Sequence, residues 1–231
     1  MTSKFFLLFL ALATLPLARA EDPPPTAAEI MKLVRLSYAL QDSKSTGTLR
    51  DDKTGRSETF TLNMEQNIIR FRFNDPNQIV HLDLGTTPAS LKSVQEGGTI
   101  SVPLEKYGDK VRKFAMNYED LSMRFLYWPN PTLLKEESIK FQKCWRVRVT
   151  NPDRVTPYGT VDLWVHQASG GVAKMEAYDF QSNLVKQFQV TQMQKVDGVT
   201  LLDTMKIESY DPGTKKTNGR TYMKLDPPVR N

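Results

Sequence analysis

The sequence predicts a mainly β protein of the α+β class, with about ten antiparallel strands in one curved sheet wrapped on a single long helix. Two observations predict this class. Apolar residues recur with a period of two through most of the chain after residue 45, as they do in strands with one buried face. Short polar or glycine-containing turns separate these runs, which is typical of antiparallel meanders.

The first twenty residues have the features of a secretory signal peptide. Lys4 precedes an apolar run over residues 5–17, and Ala18-Arg19-Ala20 places small residues at the −3 and −1 positions. A transmembrane helix needs about 20 apolar residues, and Pro16 interrupts this run too early. We therefore expect cleavage after Ala20 and a soluble periplasmic protein.

The mature chain is expected to form one domain. Residues 21–25 are a proline-rich, mobile lead-in, and residues 26–231 are long enough for one sizeable core. Removing Lys4 and Arg19 lowers the formal charge from +5 to +3, which is too small and too scattered to indicate nucleic-acid binding. The only cysteine, Cys144, excludes an internal disulfide and lies far from the cleavage site, so no lipid-attachment cysteine is expected.

The long helix is predicted over residues 27–41. Thr26 and Glu29 have the spacing of a capping box, in which each side chain hydrogen-bonds the backbone of the other residue. The predicted buried face consists of Ile30, Leu33, Val34, Ser37 and Leu40.

A second, shorter helix is predicted in the middle of the chain. Leu121, Phe125 and Leu126 lie at helical spacing within residues 118–127, and acidic residues occupy the first turn. Proline residues end this segment at residue 129. We expect it to lie over the sheet as a lid.

The centre of the sheet is predicted at residues 158–188, which read as three strands joined by two turns. Val161, Leu163 and Val165 alternate with polar residues, and Met175 belongs to the same face of the next strand. The opposite face carries Asp162, His166, Lys174 and Glu176, which we expect on the outside.

Catalytic chemistry is poorly supported by the sequence. His81 and His166 fall on polar strand faces, and no His or Cys pair has metal-ligand spacing. Cys144 shares a strand face with two arginines that could lower its pKa, but no base is placed beside it. The adjacent Glu119 and Asp120 point in different directions on a helix and make a poor acid–base pair. We predict a protein that is not an enzyme and that needs no metal or cofactor.

An arginine stripe on one predicted strand does not indicate nucleic-acid binding. Arg70 and Arg72 alternate with Phe71 and Phe73, which face the opposite side, so bases could not stack where phosphates would bind. A solvated outer face is the simpler interpretation.

The apolar sheet face remains as the candidate site. Its residues are either ordinary core or the wall of a cavity for an apolar guest, because one helix covers only part of about ten strands. The predicted lining residues are Leu62, Met64, Phe71, Phe73, Leu82, Trp145, Val147, Leu163, Val165 and Met175.

The chain resembles the bacterial outer-membrane lipoprotein-sorting family, the relatives of the periplasmic lipoprotein carrier. The resemblance rests on the signal peptide, the capped helix, a meander of four strands predicted between residues 46 and 84, and short motifs at residues 118–121, 163–165, 178–179 and 184–186. It implies an incomplete, strongly curved antiparallel barrel closed by the N-terminal helix and one or two short lid helices.

The same resemblance implies a function. The protein would carry lipoprotein acyl chains, or another lipid, through the periplasm as a monomer, exchanging cargo with membrane-bound donor and acceptor proteins. The alternative is a periplasmic module that uses the same half-barrel to bind a protein partner or to sense mislocalised lipoprotein.

Overall fold

The computed structural model describes residues 24–39, 43–66, 68–74, 77–83, 90–95 and 98–230. The predicted signal peptide, most of the lead-in, and Leu40 of the predicted helix face lie outside these residues. The described chain contains two α-helices and fourteen strands. The helices are α1 (Ala27–Ala39) and α2 (Tyr118–Ser122), and short 3-10 helices span Leu104–Lys106, Val111–Lys113 and Arg124–Tyr127. The strands are β1 (Ser43–Asp51), β2 (Ser57–Glu65), β3 (Ile68–Asn74), β4 (Asn77–Asp83), β5 (Ser90–Gln95), β6 (Gly98–Ser101), β7 (Thr132–Ile139), β8 (Gln142–Thr150), β9 (Thr160–His166), β10 (Val172–Tyr178), β11 (Leu184–Val196), β12 (Val199–Tyr210), β13 (Thr217–Leu225) and β14 (Val229–Arg230).

All described strands belong to one antiparallel sheet. Its order is β6-β5-β4-β3-β2-β1-β13-β12-β11-β10-β9-β8-β7, and β14 pairs with β1. Along this order each pair of neighbours is consecutive in the chain except β1 and β13, which pair with Leu49 opposite Met223. Among the described strands β6 and β7 end the sheet without pairing to each other. The predicted open, curved antiparallel sheet is therefore confirmed, with more strands than the ten expected.

The strand β7 was not recognised in the sequence. Its residues TLLKEESI show no regular apolar alternation, because the strand lies at the end of the sheet and most of its side chains are exposed. An edge strand needs few buried residues to be held by its one neighbour, β8.

The N-terminal helix begins at the predicted capping box. Thr26 N donates to Glu29 Oε2 at 2.8 Å, and Glu29 N donates to Thr26 Oγ1 at 3.3 Å. The buried face is rotated from the predicted one, because Met31 is buried beside Ile30 and Val34. Leu33 is 40% exposed and lies against Gly170 of the β9–β10 turn.

The predicted middle helix is broken in two. Asn117 caps α2, and Met123 then adopts a left-handed conformation with φ 47° and ψ 26°. Ser122 Oγ donates to Glu119 O and accepts from Arg124 N, which satisfies backbone groups freed by the break. The 3-10 turn that follows buries Phe125 and Leu126.

The packed core consists of two clusters under opposite ends of the sheet. One cluster packs α1 and the 3-10 turn over β8, β9 and β10. The other packs residues 107–121 over β2, β3, β4 and β5. We call these two regions the α1 flank and the loop flank.

The outer face of β9 is also covered, which contradicts the exposed position predicted for Asp162. This carboxylate is fully buried and accepts hydrogen bonds from Arg146 Nη2 and Arg148 Nε, both at 2.6 Å. Long arginine side chains on β8 fold over the neighbouring strand with their stems against it. Trp164 extends this layer by donating to Glu137 Oε2 at 2.9 Å, and this bond, with those from Lys135 and Arg146, lowers the pKa of Glu137 to about 2.

Candidate binding cavity

A cavity of about 590 Å³ lies on the concave face of the sheet. Leu62 of β2 and Leu163 of β9 both line it, although six inter-strand steps separate these strands along the sheet. In a flat sheet six steps of about 4.8 Å would place them roughly 29 Å apart. The sheet must therefore curve strongly for both residues to reach one cavity.

Strands β11, β12 and β13 form the floor of this cavity. Phe188, Met205 and Met223 face it, and each is only half-buried. The middle of the sheet therefore presents an apolar surface that the two packed flanks do not fill.

Methionine is concentrated in the lining. The sequence has nine methionines, and seven of them line the cavity: Met64, Met116, Met123, Met175, Met193, Met205 and Met223. The methionine side chain is unbranched and polarisable, so it adapts to guests of different shape. Of these, only Met64 and Met175 are among the residues predicted from the sequence, although the period-two positions of Met205 and Met223 carry the same signal.

The ten residues predicted as lining fall into two groups. Five line the cavity: Leu62, Met64, Phe71, Leu163 and Met175. Phe73, Leu82, Val147 and Val165 are buried within the two clusters, and Trp145 packs against the α1 flank while half-buried.

The predicted lid residues meet the cavity from the opposite side. Leu121, Phe125 and Leu126 line it, and each is at most 5% exposed. They lie on α2 and on the following 3-10 turn, so residues 118–127 form a roof over the cavity; we call this the lid segment.

Buried polar contacts fix the lid segment to the sheet. Asp120 accepts from Tyr158 Oη at 2.6 Å and from Asn117 N at 2.8 Å, and Lys186 Nζ lies 3.3 Å from its carboxylate. Lys186 also donates to Ala115 O at 2.6 Å. This anchoring role of Asp120 is not predictable from local sequence, because it depends on residues 38 and 66 positions away.

Glu119 lies beside this anchor and is fully buried. Burial, offset in part by Arg124, raises the pKa of Glu119 from 4.5 to about 7. Arg124 Nη1 lies 3.9 Å from Glu119 Oε2, and its Nη2 donates to Asp153 at 3.2 Å. The lid segment therefore contains a carboxyl group that titrates near neutral pH.

The remaining candidate groups do not converge on one reactive centre. Burial raises the pKa of Cys144, against the lowering that the neighbouring arginines suggested. His81 is half-buried, and burial lowers its pKa. Among the described residues no cluster of three His, Cys, Asp or Glu side chains could hold a metal ion. The cavity offers apolar contact as its main chemistry.

One polar residue predicted on the outside reaches the cavity instead. His166 ends β9 and lines the cavity mouth, with Nδ1 2.8 Å from Ser169 Oγ in the following turn. Lys174 also borders the cavity, next to the register shift between Val172 and Lys174. Its ammonium group lies on the outer face as predicted, because Nζ is 4.4 Å from the centre of the Trp164 ring and 2.6 Å from Glu176 Oε1.

Comparison with solved structures identifies the fold. A putative outer membrane lipoprotein-sorting protein domain from Vibrio parahaemolyticus superposes with a TM-score of 0.71 at 16% identity, covering 88% of this chain and 91% of that one. A LolA superfamily protein from Nitrosomonas europaea superposes with a TM-score of 0.69 at 18% identity, covering 90% of this chain and 94% of that one. A DUF1329 family protein from Desulfovibrio piger superposes with a TM-score of 0.70 at 15% identity, covering 89% of this chain and 92% of that one.

Sequence comparisons complete this assignment. No curated protein matches the chain. A family model described as "Uncharacterized protein" matches residues 105–229, more than half of the 231 residues. The chain therefore belongs to the family that this model defines, and its fold is that of the LolA-like lipoprotein-sorting proteins. None of the described helices has the length and apolar content needed to cross a membrane.

Proposed function

We propose that this protein is a periplasmic carrier that binds the acyl chains of lipoproteins, or of another lipid, inside the cavity. The observation that carries the proposal is the unfilled apolar surface between the two packed flanks, lined by residues of β2, β3, β9, β10 and β11–β13. A cavity of about 590 Å³ falls within the range of sites that hold small apolar ligands.

Binding in such a cavity needs no specific polar machinery. Each buried methylene group contributes about 0.8 kcal/mol, so one long acyl chain could stabilise the complex by on the order of 10 kcal/mol. A carrier that holds its cargo this strongly must open to release it.

The lid segment is the part of the structure best placed for release. Leu121, Phe125 and Leu126 contact the cavity from the roof, and they follow one another across the break at Met123. The anchoring of Asp120 to Tyr158 and Lys186 limits how far its first half can move. We therefore expect the segment after Met123 to move more than α2 when cargo leaves.

Two substitutions on one strand test the proposal. Met223→Glu places a carboxylate in the cavity, whereas Lys224→Glu places the same group on the exposed outer face of β13. We expect Met223→Glu to reduce uptake of an apolar fluorescent probe by at least about tenfold, because the probe would have to share the cavity with a charge. Lys224→Glu should bind as the wild type does.

Native mass spectrometry of gently purified wild-type protein provides the second measurement. Co-purified lipid supports the carrier. A wild type that takes up no probe and carries no lipid would refute the proposal and favour a module that binds a protein partner. Equal probe uptake by folded Met223→Glu and wild type would refute the assignment of the cavity as the binding site.

A further inference from the structure

The hairpin between β7 and β8 ends in a fully exposed aromatic side chain. The relative solvent-accessible surface of Phe141 is 104%, the largest value among the exposed hydrophobic residues of the described chain. An isolated exposed apolar residue is common on protein surfaces. Its conformation and its location make Phe141 different from such residues.

The backbone at the tip is strained. Ile139 pairs with Gln142, so Lys140 and Phe141 form a two-residue turn, and both have positive φ, 49° and 67°. Turns of this kind favour Asn and Gly, because a bulky side chain is disfavoured in the left-handed region. The chain therefore holds a phenylalanine in solvent at a position where glycine would be more stable.

The tip is fixed at the mouth of the cavity. Lys140 Nζ donates to Val190 O at 3.2 Å and to Thr191 O at 3.0 Å, which ties the hairpin to the floor strand β11. Ile139, Lys140 and Gln142 themselves line the cavity. Phe141 thus projects outward from the cavity rim.

The surroundings of Phe141 are apolar and cationic. Residues 139–143 contain two lysines, Lys140 and Lys143, and no acidic residue. Across the mouth, Met193 and Val199 line the cavity and are each 48% exposed, beside the single exposed acid of that turn, Asp197. An apolar tip flanked by lysines matches the interface of an anionic lipid bilayer, where apolar groups enter the acyl boundary and lysines meet the headgroups.

We propose that the β7–β8 tip docks the cavity mouth onto an anionic lipid bilayer, with Phe141 entering the interface. This inference rests on the proposed carrier function, since docking would bring the cavity mouth to the lipid that it loads or delivers. It assigns the membrane surface itself as the partner of this rim, in place of a protein receptor.

Vesicle flotation tests the docking. The wild type should float with vesicles of phosphatidylethanolamine and phosphatidylglycerol, less with phosphatidylcholine alone, and less at high salt because salt screens the lysines. Phe141→Ser should lower the apparent vesicle affinity by about tenfold or more, the factor expected when one phenylalanine side chain is no longer buried. Lys143→Glu should weaken binding to the anionic vesicles only.

A matched control separates the tip from general surface hydrophobicity. Ile100 is 60% exposed on β6, at the far end of the sheet, so Ile100→Ser removes an exposed apolar side chain away from the cavity mouth. It should float as the wild type does. Phe141→Trp should add tryptophan fluorescence that brominated lipid quenches, because the ring then lies within the bilayer.

Probe uptake without vesicles separates this inference from the carrier proposal. Normal uptake by Phe141→Ser with lost flotation supports docking through the tip. Absent flotation of the wild type, or equal flotation of Phe141→Ser and the wild type, would overturn the docking proposal and leave a protein partner as the occupant of the rim. A wild type that takes up no probe and carries no lipid would refute the carrier proposal and leave the docking proposal to the flotation result.

Discussion

The flanks and the middle of the concave face are built from the same kind of strand, yet only the flanks are packed. Phe73 and Leu82 on the loop flank and Val147 and Val161 on the α1 flank are fully buried. Met205 and its neighbours in the middle remain half-buried around the cavity. An alternating strand becomes core where another segment packs directly on it and becomes a binding surface where the covering segment leaves a cavity.

The shortage of covering segments explains this difference. The helix α1 has 13 residues and is about 20 Å long, whereas thirteen strands at about 4.8 Å extend over roughly 58 Å along the sheet. Residues 107–121 cover a second part of the face. The floor strands β11, β12 and β13 lie between these two covers.

The largest expected effect compares two phenylalanines of β3. Phe73 is fully buried beside Phe60 and under Arg112, whereas Phe71 is half-buried and faces the cavity. Phe73→Ala should lower the free energy of unfolding by about 3 to 5 kcal/mol. Phe71→Ala should cost about 1 to 2 kcal/mol, because less of its surface leaves water on folding.

Urea unfolding of both variants measures this difference, and probe uptake gives the complementary result. Only Phe71→Ala is expected to change probe affinity while the protein remains folded. Equal losses of stability in the two variants would remove the distinction between flank and middle.

A smaller effect is expected on the outer face of the α1 flank. Asp162→Asn removes the charge that accepts hydrogen bonds from Arg146 and Arg148, and buried pairs broken in this way cost about 3 to 5 kcal/mol. We expect about 2 to 3 kcal/mol, since the Arg148 side chain is 40% exposed and can regain water.

Thermal unfolding and probe uptake check this prediction together. Probe affinity should not change, because Asp162 lies on the face opposite the cavity. A stable Asp162→Asn variant with altered uptake would show that the two faces of β9 are coupled.

The last effect concerns the pH dependence of the loop flank. Because the pKa of Glu119 is raised from 4.5 to about 7, the folded protein binds this proton more tightly than the unfolded chain does. Its contribution to stability is therefore fully present below pH 4.5 and is lost as the pH rises to about 7, after which the contribution stays constant. The floor side chains Phe188, Met205 and Met223 carry no ionisable group.

Glu119→Gln should flatten this part of the stability profile. Urea unfolding of both proteins at pH 5 and pH 8 measures the change, and the difference between the two proteins removes contributions from other titrating groups. A pH profile of Glu119→Gln parallel to that of the wild type would show that the carboxyl group titrates outside this range.

Sequence patterns were sufficient for the main elements and insufficient for the boundary of the cavity. The capping box at Thr26 and the alternation in β9 act over a few residues and predict those elements directly. Phe71 and Phe73 have the same parity and the same side-chain type, so no local signal assigns one to the cavity and the other to the core. The difference depends on residues 107–121, which pack over Phe73 from a distant part of the chain.

The sequence by itself determined the class of the protein and, for the regularly alternating strands, the side that faces inward, because backbone geometry and side-chain alternation are local. The tertiary structure alone decided where the inward side is filled, because filling depends on how far the sheet curves and which segments reach it. It also decided that Asp162 and Asp120 are buried, because arginines, a tyrosine and a lysine from other parts of the chain lie over them.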